Sequence, residues 1–571
     1  MERRRRIITR ALPLALLAIA SFVVGAATGV RTPPEKASAE RFAEAWARQD
    51  FGAMQAELNP ASRHAYPVKR LRNAYLDAEE TATARTFDPG QPSDPHGGVV
   101  TLPVVANTAA FGNLAGDVKL PYSDGGIAWA SYLTFPGLAP GEHLVNNISL
   151  AERAPILARD GTPLAEGPAE ARSSPLGSAA IDVTGEVGQA PAENQQQLAM
   201  QGFPAGTPVG ISGLEQAFNS RLAGQPGGEL LAAQKGTGSR VLAHSKPKPG
   251  LPVKTTIDPT LQQAAVNGLA GRAGGVTVLD ARDGSVRALA GSAFSAPQPP
   301  GSTFKMITTT AALQKGVVSL DDTFPILNGI NVGGRFIDNA HQEYCGGTFV
   351  QAFADSCNSV FTPLGPKIGN DLLVKTAERY GFNAEPSLYN AAATAAVDPP
   401  KPSIPTNVGS DLDLAVSAIG QGQVLATPLE LASVAQTISQ GGIRSPTPIV
   451  RQKKLRSNAK PVRVSSKKIA GKLRYLMEGV VNSGTGIAAQ LPGVQVAGKT
   501  GTAELGPKPG APAPAPGQTA EQAVDAWFAA FAPATKPRLA VAVLLVDASA
   551  DGGTVAAPIA HDILATGLGL G

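Results

Sequence analysis

The hydropathy pattern of the chain changes character several times. The stretch Ala11 to Val30 carries no charge over 20 residues, about the length of ~20 residues that a helix needs to span a bilayer. From Ala37 to Met54, Phe42, Ala45, Trp46 and Met54 fall near one helical face and predict an amphipathic helix. Residues 99–105 and 128–135, rich in branched and aromatic side chains, read as strands. Residues 149–250 are rich in Gly, Pro, Ala and Gln and poor in long apolar runs, which suits an extended pedestal. Beyond 250 the pattern becomes that of a packed core. Leu261–Leu269 reads as a helix, and residues 275–281 and 285–290 as a hairpin about Asp283-Gly284. Helical segments follow, then strands over Asp525–Phe531 and Leu539–Val546 and a helix over Val555–Ala565. That order predicts a multidomain α/β chain whose last domain has a central antiparallel sheet with helices. The segments are 1–10 (basic), 11–30 (apolar), 31–148 (small, mixed α and β), 149–250 (pedestal) and 251–571. Pro507 to Gln518 reads as a loop, and no internal repeat is evident.

Charge orients the apolar stretch. Arg3 to Arg6 and Arg10 precede it, which predicts a single-pass membrane helix with its N-terminus inside and the rest outside the cytoplasm. A signal peptide cleaved near Gly25-Ala26-Ala27 is the alternative; a lipoprotein would need a cysteine there. The chain of 571 residues is 43% hydrophobic and 16% charged, a globular composition. A net charge of +4 gives nucleic acid no electrostatic purchase. The two cysteines, Cys345 and Cys357, can close a small loop as a disulfide in an oxidising compartment, or stay as buried thiols. The six histidines are scattered, and no metal-binding, phosphate-loop or Gly-x-Ser-x-Gly motif appears, so neither a metal nor a hydrolase triad is implied.

Three short motifs carry chemistry. In Ser302-Thr-Phe-Lys305, positions i and i+3 share a helical face; a serine is activated when a neighbouring base takes its proton, and a lysine serves if its pKa is lowered. The same spacing at Ser245/Lys248, Ser457/Lys460 and Ser465/Lys468 lies in polar surroundings and reads as solvated surface. Ser356-Cys-Asn358 offers a hydroxyl and an amide for proton transfer and substrate contact, or simply a helix cap. Lys499-Thr500-Gly501-Thr502 reads as a strand edge with a cation for a carboxylate, hydroxyls, and a glycine that lets a ligand approach the backbone.

In this order and within one domain, the three motifs resemble the active-serine penicillin-binding proteins and β-lactamases. The resemblance runs over roughly 150–571. It is extended by residues 253–262, by Gly420-Gln-Gly422 with Thr427-Pro428-Leu429, by 527–533, and by Gly213-Leu214-Glu215-Gln216-Ala217-Phe218. Residues 31–148 resemble, loosely, a nuclear-transport-factor-2-like extension of some class B enzymes. The resemblance implies a pedestal or dimerisation domain and a penicillin-binding transpeptidase domain. Ser302 would be acylated, Lys305 its base, Ser356 a proton relay and Asn358 a positioning group. Lys499, Thr500, Gly501 and Thr502 would bind the substrate carboxylate, with the Ser302 and Thr502 N–H groups as oxyanion hole. Cysteine in place of aspartate in the middle motif disfavours a class A β-lactamase. The implied activity is D,D-transpeptidation of peptidoglycan stem peptides at the cell membrane, without a cofactor and with β-lactams as covalent inhibitors. Lipid-linked precursors and glycosyltransferase, division or elongation proteins are the implied partners. A carboxypeptidase or β-lactamase using water, and a non-catalytic scaffold, are the alternatives.

Overall fold

The computed structural model describes residues 32–236, 238–390, 400–507 and 522–570. The apolar stretch 11–30 lies outside them; among the described residues no helix is long and apolar enough to cross a membrane. The described residues form two compact units, one within 32–151, 191–207 and 224–249, the other within 152–190, 208–223 and 250–570.

The first unit opens with the helices Pro34–Ala47, Phe51–Ala56, Pro60–Ala65 and Val68–Ala82. The expected 37–54 helix is interrupted at Gln49, which takes a left-handed φ of 55°. Asp50 then caps the next helix through its carboxylate. Phe42, Ala45, Trp46 and Met54 are all buried, so the amphipathic face survives the break. A four-stranded antiparallel sheet follows, its strands Ala84–Pro89, Val99–Thr108, Gly112–Ser123 and Gly126–Ile127. The strand expected at 128–135 is instead a 3-10 turn, Ser131–Thr134. Leu133, Thr134 and Phe135 are buried in succession instead of alternately, and Pro136 has no N–H to extend a ladder.

Residues 149–250 do not form one unit. Gly227–Gln234 and Gly238–Ser245 pair with Glu142–Ser149 as one sheet, and this ladder ties them to the first unit. Residues 191–207 also belong to the first unit, whereas 152–190 and 208–223 join the second, where Leu214, Phe218 and Leu222 share the main core.

The second unit is organised by a five-stranded antiparallel sheet of Val286–Gly291, Gly274–Asp280, Leu539–Leu545, Gln522–Ala532 and Ala497–Pro507, in that spatial order. Successive side chains of a strand face opposite ways, and here both ways are core. Trp527, Ala529 and Phe531 join the core that includes Phe304 and Met306 from the serine-bearing segment. Phe528 and Ala530 join the core formed with the helices Pro259–Leu269 and Ala557–Leu568. Ala497–Pro507 is the outer strand, so the Lys499 motif sits on a sheet edge.

Candidate active site

The backbone around Ser302 is fixed before any side chain is considered. Pro299 accepts a hydrogen bond from Trp527 Nε1 (2.8 Å) and Pro300 one from Thr303 Oγ1 (2.7 Å). Gly301 adopts φ +51°, and its N–H donates to Gly420 (2.9 Å). A Cβ on Gly301 would stand 2.5 Å from the Thr502 carbonyl, and one on Gly420 would strike Gly301. Glycine is therefore required where this turn meets both the outer strand and the Gly420 loop. Gly501 has the same role: a Cβ there would meet Pro300 and Thr303. The serine-bearing turn thus packs on the side of Gly501 where a Cβ would point.

Ser302 lies in the 3-10 turn Gly301–Phe304, which runs into the helix Lys305–Lys315. Side chains three residues apart eclipse in a 3-10 turn, so Ser302 and Lys305 project on one side. The serine is half-buried, and among the described residues no hydrogen bond holds its hydroxyl. Lys305 is fully buried. Its Nζ lies 2.6 Å from the Ser356 carbonyl, 2.7 Å from Asn358 Oδ1 and 3.3 Å from Ser356 Oγ. Burial, with the nearby Lys499 charge, holds its pKa well below that of an ordinary lysine. A neutral amine has two N–H bonds and one lone pair. The two short contacts use both N–H groups and leave the lone pair for a hydroxyl proton.

The second motif follows the helix Phe349–Ala354. Ser356 takes a left-handed φ of 63°, uncommon for a residue with a side chain and characteristic of functional sites. That turn lets both its carbonyl and its hydroxyl meet Lys305. Asn358 opens the helix Asn358–Phe361 and donates from Nδ2 to the Asp338 carbonyl (2.8 Å), which orients its Oδ1. Cys357 is disulfide-bonded to Cys345, joining the motif to the strand Cys345–Thr348.

On the sheet side, Lys499 is also fully buried. Its Nζ donates to Ser356 Oγ (2.8 Å) and the Thr500 carbonyl (3.1 Å). Burial lowers its pKa to about 7, opposed by Asp355. Thr500 shares a 2.6 Å hydrogen bond with Thr485, so it faces the protein. Thr502 is half-buried, its Oγ1 a distant 3.5 Å from the Gly552 N–H. Ser356 Oγ therefore stands between two lysine amines, one from each side of the site. The structure brings Lys305, Ser356, Asn358 and Lys499 to one place, with Ser302 one 3-10 turn before Lys305.

Several contributors escaped the motif reading. Gly420 carried no role there beyond resemblance, because the need for glycine depends on a neighbour far along the chain. Asp355 was passed over although it precedes Ser356. Thr485, and the Phe361 and Phe353 rings below Lys305 and Lys499 (5.2 and 5.7 Å), gave no local signal.

A half-exposed serine, a buried amine and a second amine on a sheet edge are the groups that active-serine acyl transfer would need. The family comparisons agree. Residues 274–565 match the penicillin-binding protein transpeptidase domain, and residues 167–255 the penicillin-binding protein dimerisation domain. The chain belongs to the penicillin-binding protein transpeptidase family. It is 34% identical over 308 residues to the peptidoglycan D,D-transpeptidase PbpA of Mycobacterium tuberculosis, a match covering 50% of this chain and 58% of that protein. With PbpA of Mycolicibacterium smegmatis the identity is 35% over 379 residues, 60% of this chain and 67% of the relative. The structure is similar to the ceftriaxone acyl-enzyme complex of penicillin-binding protein A from M. tuberculosis, with TM-score 0.56 and 26% identity over 73% of this chain and 98% of that one.

Proposed function

We propose that the chain is a class B peptidoglycan D,D-transpeptidase. The observation that carries this reading is the buried Lys305 amine, whose N–H groups are engaged by Ser356 and Asn358 three residues beyond an unengaged serine. Ser302 Oγ attacks the carbonyl of a D-alanyl-D-alanine stem peptide while its proton passes to Lys305 Nζ. The Ser302 and Thr502 N–H groups receive the developing oxyanion. Ser356, in contact with both lysines, passes a proton to the departing amine, and D-alanine leaves. An amine of a second stem peptide then takes the acyl group and restores Ser302. Lys499 and Thr502 bind the terminal carboxylate, and a β-lactam enters the same path but leaves slowly. Thr500 acts through Thr485, as support for the strand.

The relatives' names and the acyl-enzyme complex of the similar structure support this chemistry for the chain. The N-terminal apolar stretch would hold it in the cell membrane, facing peptidoglycan and its lipid-linked precursors beside a glycosyltransferase and division or elongation proteins. Helices followed by a four-stranded antiparallel sheet suit the nuclear-transport-factor-2-like reading of the first unit, with 149–250 as a pedestal.

The test is a donor peptide ending in D-alanyl-D-alanine mixed with an amine acceptor. Release of D-alanine with formation of the amide-linked product is expected. Release with hydrolysis alone, at saturating acceptor, would instead make the protein a carboxypeptidase.

A further inference from the structure

A cleft of about 80 Å³ in the second unit is lined by the first turn of the helix Pro428–Ser439 and by the segments about Gly381 and Arg444. Glu430 lines it from the third position of that helix. Its N–H is capped by the Thr427 hydroxyl (3.3 Å). In a reciprocal cap the glutamate at this position would reach back to the capping residue's N–H; Glu430 does not, and its carboxylate lines the cleft. Glu430 is 8% exposed, yet its Oε1 has no hydrogen-bond partner. An unpaired buried carboxylate oxygen is costly, and burial pushes this acid up to about 7.

Arg444 Nη1 and both Glu430 oxygens converge over Gly381, where any Cβ would meet all three. Even so, among the described residues the two groups form no ion pair, and the Arg444 guanidinium donates no hydrogen bond. Lys460 stands at the exposed rim. A lone cation would satisfy Glu430 and oppose Arg444 and Lys460; a lone anion would do the reverse.

We propose that this cleft binds a small zwitterion of the α-amino-acid class, its ammonium on the Glu430 carboxylate and its carboxylate on Arg444 and Lys460. The geometry draws on no part of the acyl-transfer site.

The test is calorimetric titration of the full-length chain with D-alanine and L-alanine, and separately with methylamine and acetate as the two halves of the ligand. Saturable binding of at least one amino acid is expected, weakened about tenfold or more in Glu430→Gln and in Arg444→Met. Circular dichroism melting of each variant shows whether it is folded. Should either variant not fold, Lys460→Ala is expected to weaken binding without loss of structure. Titration of the unaltered chain near pH 7 in two buffers of different ionisation heat is expected to show proton release as Glu430 ionises. No saturable binding, or binding undiminished in folded variants, would mean that the cleft holds water only. Methylamine or acetate binding as tightly as the amino acid would overturn the zwitterion class.

Discussion

At the scale of single residues, the proposed chemistry rests on two lysines sharing one serine hydroxyl. Two buried amines joined through Ser356 Oγ do not both hold a proton easily, and their titration belongs to the pair. Acyl transfer needs Lys305 neutral, to take the Ser302 proton, and Lys499 charged, to hold a carboxylate. The rate of β-lactam acylation should therefore rise as acid protonation of Lys305 is relieved. It should fall again as Lys499, with its pKa of about 7, loses its proton. A pH profile of the second-order acylation rate checks this; a rate still climbing well above neutrality would show that Lys499 keeps its proton or is not needed charged. Lys305→Met should slow acylation by about 10²–10⁴-fold without loss of fold, measured with a fluorescent penicillin. Much of this was legible in sequence, because Ser302 and Lys305 are local neighbours on one turn. Asp355 and Thr485 were not, since the Asp355 charge acts on Lys499 and Thr485 bonds Thr500 only through tertiary packing.

At the scale of elements, the serine-bearing turn is held against two others by glycine. Gly301, Gly420 and Gly501 lie where backbones approach too closely for a Cβ. Gly420→Ala should destabilise the protein by about 2–4 kcal/mol and slow acylation as well, because Gly301 must shift. Thermal melting and labelling of the same preparation test both; an unchanged melt would show that the contact is loose. The hairpin about Asp283-Gly284 and the late strands were legible from alternation and turn chemistry, and they appear as Gly274–Asp280, Val286–Gly291, Gln522–Ala532 and Leu539–Leu545. The 3-10 turn at Ser131–Thr134 was not, because its aromatic and branched content matches a strand while its burial follows another period.

At the scale of the whole molecule, the second unit is tied together by buried charge. Arg153 and Arg172 both bond Glu215, at 2.6 and 2.8 Å, and the carboxylate is 1% exposed. Removing the acid would strand two guanidinium groups. Glu215→Ala should therefore cost about 3–5 kcal/mol, read as a lower unfolding midpoint; a shift under about 1 kcal/mol would mean that water replaces the carboxylate. Sequence showed Glu215 only within a family motif, with neither arginine attached to it. Nor did composition show that 149–250 divides between two units, since strand pairing with Glu142–Ser149 is a long-range choice. The central claim concerns one atom, Ser302 Oγ. The most direct measurement is labelling of the full-length chain with a fluorescent penicillin, followed by intact mass and peptide mapping, alongside Ser302→Ala. A single stable adduct on Ser302, absent from the variant, is the expected result; an adduct on another residue, or none on folded protein, would contradict the account.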